Sequence, residues 1–372
     1  MTRLAGLVMG VVLVGSPGET WAQAAGSATG QATGQGTGQS SAAAAPSPSA
    51  PTIKLGVTIF ADYTVTDTPK ITDATGDRVR ANAFTVGRSY LNVTGTANRH
   101  ISFRVTADIA RTTEGNLAGS QVFRLKYAYL DVALPHRTSL RFGMQQTPMI
   151  DGQESVYRYR FQGTSFVERD GGLVSSDVGL TMRTPLGAYG DVHAGIYNGE
   201  GYNRAEVNAH KAFMARVTVR PMPTHAVAKG LRLIGYWHAD AYVQGAPRNR
   251  AAVSAMFEHA RFNAGVDYVR RVDQPTPASA EVTGQGYSVF VTPFANAKGD
   301  GVEGLFRVDH FEPDSRRDAS WRRVIAGVAY WFPRQGSASA ALLANLEQVT
   351  YSNFAPTRPT ERRIGVYALI NF

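Results

Sequence analysis

Arg363-Ile364-Gly365-Val366-Tyr367-Ala368-Leu369-Ile370-Asn371-Phe372, the last ten residues of the chain, decide how the rest is read. Successive side chains of an extended strand point to opposite faces. Ile364, Val366, Ala368, Ile370 and Phe372 therefore share one face, and Arg363, Tyr367 and Asn371 share the other. Such a strand separates water from an apolar phase. A soluble sandwich has strands of this kind too, so the distinction rests on how often the pattern recurs and in what context.

The context is export. Arg3, the apolar stretch Leu4 to Gly15 and Ala22-Gln23-Ala24 have the order of a signal peptide over residues 1–24. This stretch falls short of the roughly 20 apolar residues of a spanning helix, and no other run approaches that length. Residues 25–52, rich in Gly, Thr, Gln, Ala, Ser and Pro, bury too little apolar surface to offset their ordering entropy and read as a disordered periplasmic linker. The Gly-rich part of this linker follows no strand and opens no helix, so it is not a phosphate loop.

From Ile53 to Phe372, alternating segments of about ten residues follow one another, the periodic signal of a membrane barrel. Strands are expected near 53–63, 84–97, 100–111, 122–134, 138–146, 176–184, 189–198, 210–221, 229–242, 250–260, 262–273, 283–295, 300–312, 320–332, 338–351 and 361–372. The expectation is an all-β, 16-stranded antiparallel transmembrane barrel, with 14 to 18 strands as the range. Short connections such as Asn98-Arg99 and Pro185-Leu186-Gly187 carry turn formers. Connections on the opposite side, such as 64–83 and 147–175, are longer. Phe103, Val105 and Ala107 alternate with Arg104, Thr106 and Asp108; Phe213, Ala215 and Val217 alternate with Arg216 and Thr218. An Arg or Lys on the lipid face costs about 2–4 kcal/mol at mid-membrane, so the polar sets should line a wet interior.

The chain has no cysteine, hence neither disulfides nor thiolate sites. Its formal charge of +9 is carried mainly by arginine. Export and the lack of any nucleic-acid-binding signature exclude nucleic acid as a partner. Outer-membrane lipid, lipopolysaccharide at the rim and anions in a lumen remain as partners for a basic protein.

Leu125-Lys126-Tyr127-Ala128-Tyr129-Leu130-Asp131-Val132, followed by Leu140-Arg141-Phe142-Gly143-Met144-Gln145-Gln146-Thr147-Pro148, resembles the phosphate-selective porin O and P family. Further segments resemble it in the same order: Arg88 to Gly95, Phe166-Val167-Glu168-Arg169, Asp177-Val178-Gly179, Ile196 to Gly201, Ala215 to Pro221 and Glu303 to Asp309. The resemblance implies a 16-stranded, usually homotrimeric porin of the Gram-negative outer membrane, whose third extracellular loop folds into the lumen. It implies no cofactor and no enzymatic activity. Passive diffusion of small hydrophilic solutes and ions, with an anion preference, is the expected function. A channel specialised for phosphate or another anion is the first alternative, and an outer-membrane hydrolase and a structural barrel with a plugged lumen are the others.

Loop 147–175 holds the candidate constriction. Tyr157-Arg158-Tyr159-Arg160-Phe161 places two arginines on one parity and three aromatics on the other. Arg158 and Arg160 either face the solute, where guanidinium groups recognise anions, or pair with acids and hold the loop. Arg169 is the third candidate here. Arg88, Arg104, Asp108, Arg141, Asp177, Arg183, Arg216, Arg220, Arg307 and Asp309 are the candidate pore lining, basic and acidic residues being nearly balanced. His238-Ala239-Asp240 is the one pairing suggestive of a hydrolase, and no nucleophile motif accompanies it. His193 and His210 are lone histidines without metal-ligand spacing, and no metal is expected.

Overall fold

The computed structural model describes residues 50–372 apart from residues 113 and 114. The expected signal peptide and most of the expected linker lie outside the described residues. From Thr52 the chain forms a single antiparallel sheet closed on itself. The strands are β1 (Thr52–Thr72), β2 (Arg78–Thr96), β3 (Ile101–Arg111), β4 (Gln121–Ala133), β5 (Ser139–Gln146), β6 (Ser176–Pro185), β7 (Gly190–Tyr197), β8 (Ala212–Val219) and β9 (Leu231–Ala239). They continue with β10 (Ala241–Val243), β11 (Ala246–Glu258), β12 (Phe262–Asp273), β13 (Val282–Pro293), β14 (Gly301–Glu312), β15 (Ser320–Trp331), β16 (Ser339–Ser352) and β17 (Glu361–Asn371). The three-residue β10 pairs only with β11 at the rim, which leaves sixteen strands to form the wall.

Every wall strand pairs with its neighbours in sequence, and β1 closes the circle on β17 through Ile59↔Ile370 and Asp62↔Tyr367. Closure removes the free edges that an open sheet would expose in a membrane. At the seam Phe372 N–H donates to Val57 O (2.8 Å) and Val57 N–H to Phe372 O (3.0 Å). The terminal aromatic is thus locked by its backbone while its ring stands outside, 70% exposed.

The alternation has the expected sense. Ile364, Val366 and Ile370 point outward and are about half exposed, whereas Tyr367 is buried inside. Val105, Leu180, Phe213 and Val266 lie on the outer face; Thr106, Asp108, Asp177, Arg216 and Asp267 are buried on the inner one. An apolar outer surface and a charged interior invert the arrangement of a soluble barrel.

The structure departs from the expected boundaries at the first hairpin. Residues 64–83 are not a loop: β1 and β2 run on as 21- and 19-residue strands to a turn at residues 73–77. Val65, Thr66, Ile71 and Val79 supply the β-branched residues for this extension. Asp73 closes the turn, its carboxylate accepting the backbone N–H groups of Thr75 (2.9 Å) and Asp77 (3.0 Å).

Two bulges shift the inside–outside phase. The register of β1 with β2 skips Gly87, and that of β3 with β4 skips Lys126. A bulge places two residues of one strand opposite one of its partner, so the facing of all later side chains reverses. On β4, Phe123 and Leu125 face out before the bulge and Leu130 after it, while Lys126 and Tyr127 are both buried inside.

Candidate channel constriction

Residues 147–175, between β5 and β6, hold the helices α1 (Pro148–Glu154) and α2 (Phe166–Arg169). The segment carries a large apolar set: Met149, Ile150, Val156, Tyr157, Tyr159, Phe161, Phe166 and Val167 are all buried. Its rings pack against inward-facing rings of the wall. Tyr157 meets Phe290 of β13 edge-on (5.2 Å between centroids), Tyr159 meets Trp331 of β15 (6.2 Å), Phe161 meets Phe60 of β1 (6.4 Å) and Phe166 meets Phe311 of β14 (6.3 Å). All three aromatics of Tyr157 to Phe161 thus pack on the wall.

Polar bonds hold the same segment to many strands. The α1 end is held by Arg216 of β8, which donates to Pro148 O (2.6 Å), and by Arg232 of β9, which donates to Ser155 Oγ (3.0 Å). Farther along, Asn263 of β12 donates to Val156 O (3.0 Å), and Arg307 of β14 donates to Thr164 O (3.0 Å). Arg323 of β15 pairs with Asp170 (2.7 Å). Gly152 is needed where α1 passes Arg216: a Cβ there would lie 2.6 Å from the guanidinium.

The candidate constriction arginines resolve into different roles. Arg158 reaches Glu303 of β14 with two bonds of 2.9 and 3.0 Å and lies over the Trp331 ring (4.2 Å). Glu303 also accepts the Tyr159 hydroxyl at 2.8 Å. Arg169 pairs with Glu347 of β16 (3.2 Å). Arg160 pairs within its own segment, with Glu154 (3.1 Å) and Glu168. All three arginines pair with acids, and Arg160 also borders the open space described below.

The candidate lining residues also meet acids. Asp108 receives Arg88 (2.8 Å); Asp131 receives Arg141 (2.8 Å); Asp191 receives both Arg183 (2.8 Å) and Arg216 (2.8 Å). Arg307 is fully buried and bidentate to Asp309 (2.8 and 2.7 Å). Asp177 accepts the backbone N–H of Gly199 (2.7 Å) at the rim. Arg104 meets no carboxylate among the described residues and bonds to Asn92 (2.8 Å). Arg220 follows β8 with its backbone N–H on Tyr189 O. The phase reversal at Lys126 brings in two cations that strict alternation misplaced: Arg124, paired with Asp108 (2.9 Å), and Lys126 itself.

An open space of about 420 Å³ lies between loop residues 160–164 and the inner faces of β1, β2 and β17. Its charged lining is Arg88, Arg160, Arg363 and Asp62. Arg363 pairs with no carboxylate among the described residues. Asp62 accepts the Thr85 hydroxyl (2.6 Å) rather than an arginine. The lining thus presents three guanidinium groups and one carboxylate, while Asp108 engages Arg88 and Glu154 and Glu168 engage Arg160 beside it.

The suggestive His238-Asp240 pair shares its carboxylate with an arginine. The two side chains stand 3.7 Å apart, and Asp240 is engaged by Arg248 at 2.6 Å. No group of three His, Asp or Glu side chains among the described residues could hold a metal.

The sequence matches the family model described as phosphate-selective porin O and P over residues 53–230, just under half of the chain. No curated relative matches it. Among solved structures, OmpT of Vibrio cholerae is similar with a TM-score of 0.60 at 14% identity, over 87% of this chain and 98% of that one. An anion-selective porin from Comamonas acidovorans is similar with a TM-score of 0.58 at 13% identity, over 86% and 99%. At such identities these structures establish the barrel fold alone. The family match falls on residues that build the first half of that barrel, including the segments first noted for their resemblance, and together with the closed barrel it makes this chain an outer-membrane porin that is similar, over residues 53–230, to the phosphate-selective porin O and P family.

Proposed function

We propose that the chain is a passive diffusion channel preferring small hydrophilic anions, with residues 147–175 lying across the lumen as its constriction. The carrying observation is the charge at the opening beside residues 160–164, where three guanidinium groups meet one carboxylate. Charge on an open wall is screened within about 8–10 Å in physiological salt. A solute passing an opening of this size comes within that distance of Arg88, Arg160 and Arg363 together, so the donors that Arg88 and Arg160 keep beyond their ion pairs and the guanidinium of Arg363, which has no paired acid among the described residues, act on it together. The bonds from the segment to β8, β9, β12, β14, β15 and β16 support its place across the channel.

The fold is shared with a porin described as anion-selective, and with OmpT in a trimer form, which supports anion preference and a homotrimer here. The even number of wall strands puts both barrel ends at one rim, which we assign to the periplasm. A channel rather than an enzyme is what the family and fold favour. Reversal potentials of the purified protein in planar bilayers under a potassium chloride gradient test the reading. Chloride preference that weakens in Arg363→Gln is the expected result. A cation-preferring or unselective wild type refutes it.

A further inference from the structure

The cations displaced inward by the β4 bulge form a cluster that the opening alone does not account for. Arg88 and Arg124 share one carboxylate, Asp108 (2.8 and 2.9 Å), and Lys126 joins them through Tyr202, whose ring it shares with Arg124. Lys126 is 3% exposed and has no carboxylate within ion-pair distance among the described residues. Its ammonium instead bonds to Tyr90 Oη and Ser175 Oγ, both at 3.3 Å, and lies 5.1 Å from the Tyr90 ring and 5.2 Å from the Tyr202 ring. Tyr202 comes from the connection after β7, remote in sequence from the others. Its hydroxyl oxygen accepts a hydrogen bond from Arg88 (3.0 Å), and its ring lies under the Arg124 guanidinium (5.0 Å). Tyr202 thus presents an acceptor oxygen and the negative face of a ring to three cations, the position an oxyanion would take.

We propose that Tyr202 is an internal ligand: its side chain occupies an oxyanion position at Arg88, Arg124 and Lys126, and a permeating phosphate displaces it. This rests on the anion-preferring reading. The Tyr202 backbone is tied, its N–H donating to Ser176 O at 3.1 Å, so displacement is a rotation of the ring rather than a movement of the loop. A neutral phenol forms a weaker bond to a guanidinium than a charged oxyanion does, so the occupant yields to the right solute and excludes weaker ones. The apparent affinity for that solute is reduced by the fraction of sites in which the ring is in place.

Block of chloride current by inorganic phosphate in planar bilayers is the test, made on wild type, Tyr202→Phe and Lys126→Met. Tyr202→Phe keeps the ring but loses the oxygen; phosphate should then block at about tenfold lower concentration. Lys126→Met should lose the block. Phosphate should also raise chemical nitration of Tyr202 in the wild-type channel, read by peptide mass mapping, a measurement that needs no variant to fold. If phosphate blocks wild type but Tyr202→Phe behaves identically, or if nitration of Tyr202 does not respond to phosphate, the internal-ligand proposal is overturned and the anion preference stands. If the wild type shows neither chloride preference nor phosphate block, the functional reading itself falls.

Discussion

Glu303→Gln is the sharpest perturbation of the proposed constriction. Glu303 is 1% exposed and accepts two bonds from Arg158, one from Tyr159 and one from the Gly299 backbone. Removing its charge leaves the Arg158 guanidinium, 12% exposed, without a carboxylate. Breaking one partner out of a buried pair costs about 3–5 kcal/mol. The amide keeps one acceptor oxygen and so recovers about 1 kcal/mol of that. A net loss of about 2–4 kcal/mol corresponds to about a 30- to 1,000-fold rise in the ratio of released to held segment. The wall strands keep all their pairings, so heat resistance of the barrel in detergent should not change. Single-channel records should show larger mean conductance and new transitions between levels, because a segment released from β14 narrows the lumen less. Arg158→Gln on the Glu303→Gln background should recover part of the loss, since the buried unpaired charge is then gone. A Glu303→Gln channel with wild-type conductance and noise, or two substitutions with strictly additive effects, would refute the reasoning.

Gly152→Ala should loosen the α1 end of the segment by about 1–3 kcal/mol, because Arg216 is held by Pro148 and Asp191 and cannot move aside; increased protease cleavage within 147–175 checks it. Single cysteines at Ser102 and Arg104 should react with water-soluble thiol reagents in membranes, and those at Phe103 and Val105 should not; equal labelling of both parities would contradict the wall assignment. Mild acid should strengthen anion preference. Burial holds the Glu154 carboxyl above its ordinary value of 4.5, against the opposing pull of Arg160 and with Glu168, Lys126 and Asp151 as the other charged neighbours. A raised carboxyl contributes stability that is complete below its ordinary value and is lost as pH rises through the raised one. On acidification, therefore, Glu154 loses its charge before ordinary carboxylates do, and Arg160 is left with Glu168 alone. Glu154→Gln should abolish this change in reversal potential between pH 7 and 5.

What the sequence disclosed follows from what lipid demands. Each wall strand has one face in hydrocarbon, where charge is costly, so alternation is imposed on every strand and survives in Ile364 to Phe372 as in Phe213 to Val217. That constraint is local, and locally it reads well. Bulges escape it because they reverse the phase without breaking the strand. Phe123 and Leu125 precede Lys126, whereas Ala128, Leu130 and Val132 follow it on the opposite parity, so the shift was visible as a change of phase in the apolar residues. Strict alternation therefore missed Lys126 and Arg124. The first hairpin was underestimated for a related reason: beyond the membrane nothing forces alternation, and β-branched residues alone carried the strand onward. Lumenal partnerships between distant strands leave no local trace, although Arg160 with Glu154 and Glu168, and Arg307 with Asp309, pair within short reach. Arg158 finds Glu303 across 145 residues and Arg88 finds Tyr202 across 114, and parity within Tyr157 to Phe161 holds no information about either. The aromatics there were predictable because any buried ring seeks the wall. The arginines were not, because whether a guanidinium faces solute or acid depends on which distant strand brings a carboxylate within 3 Å. Arg160 illustrates the remainder: it pairs with Glu154 and Glu168 and still borders the opening, so pairing and lining are not exclusive. A guanidinium engaged on one edge keeps donors on the other, and a paired arginine at an opening where carboxylates are fewer can attract an anion that an isolated ion pair could not.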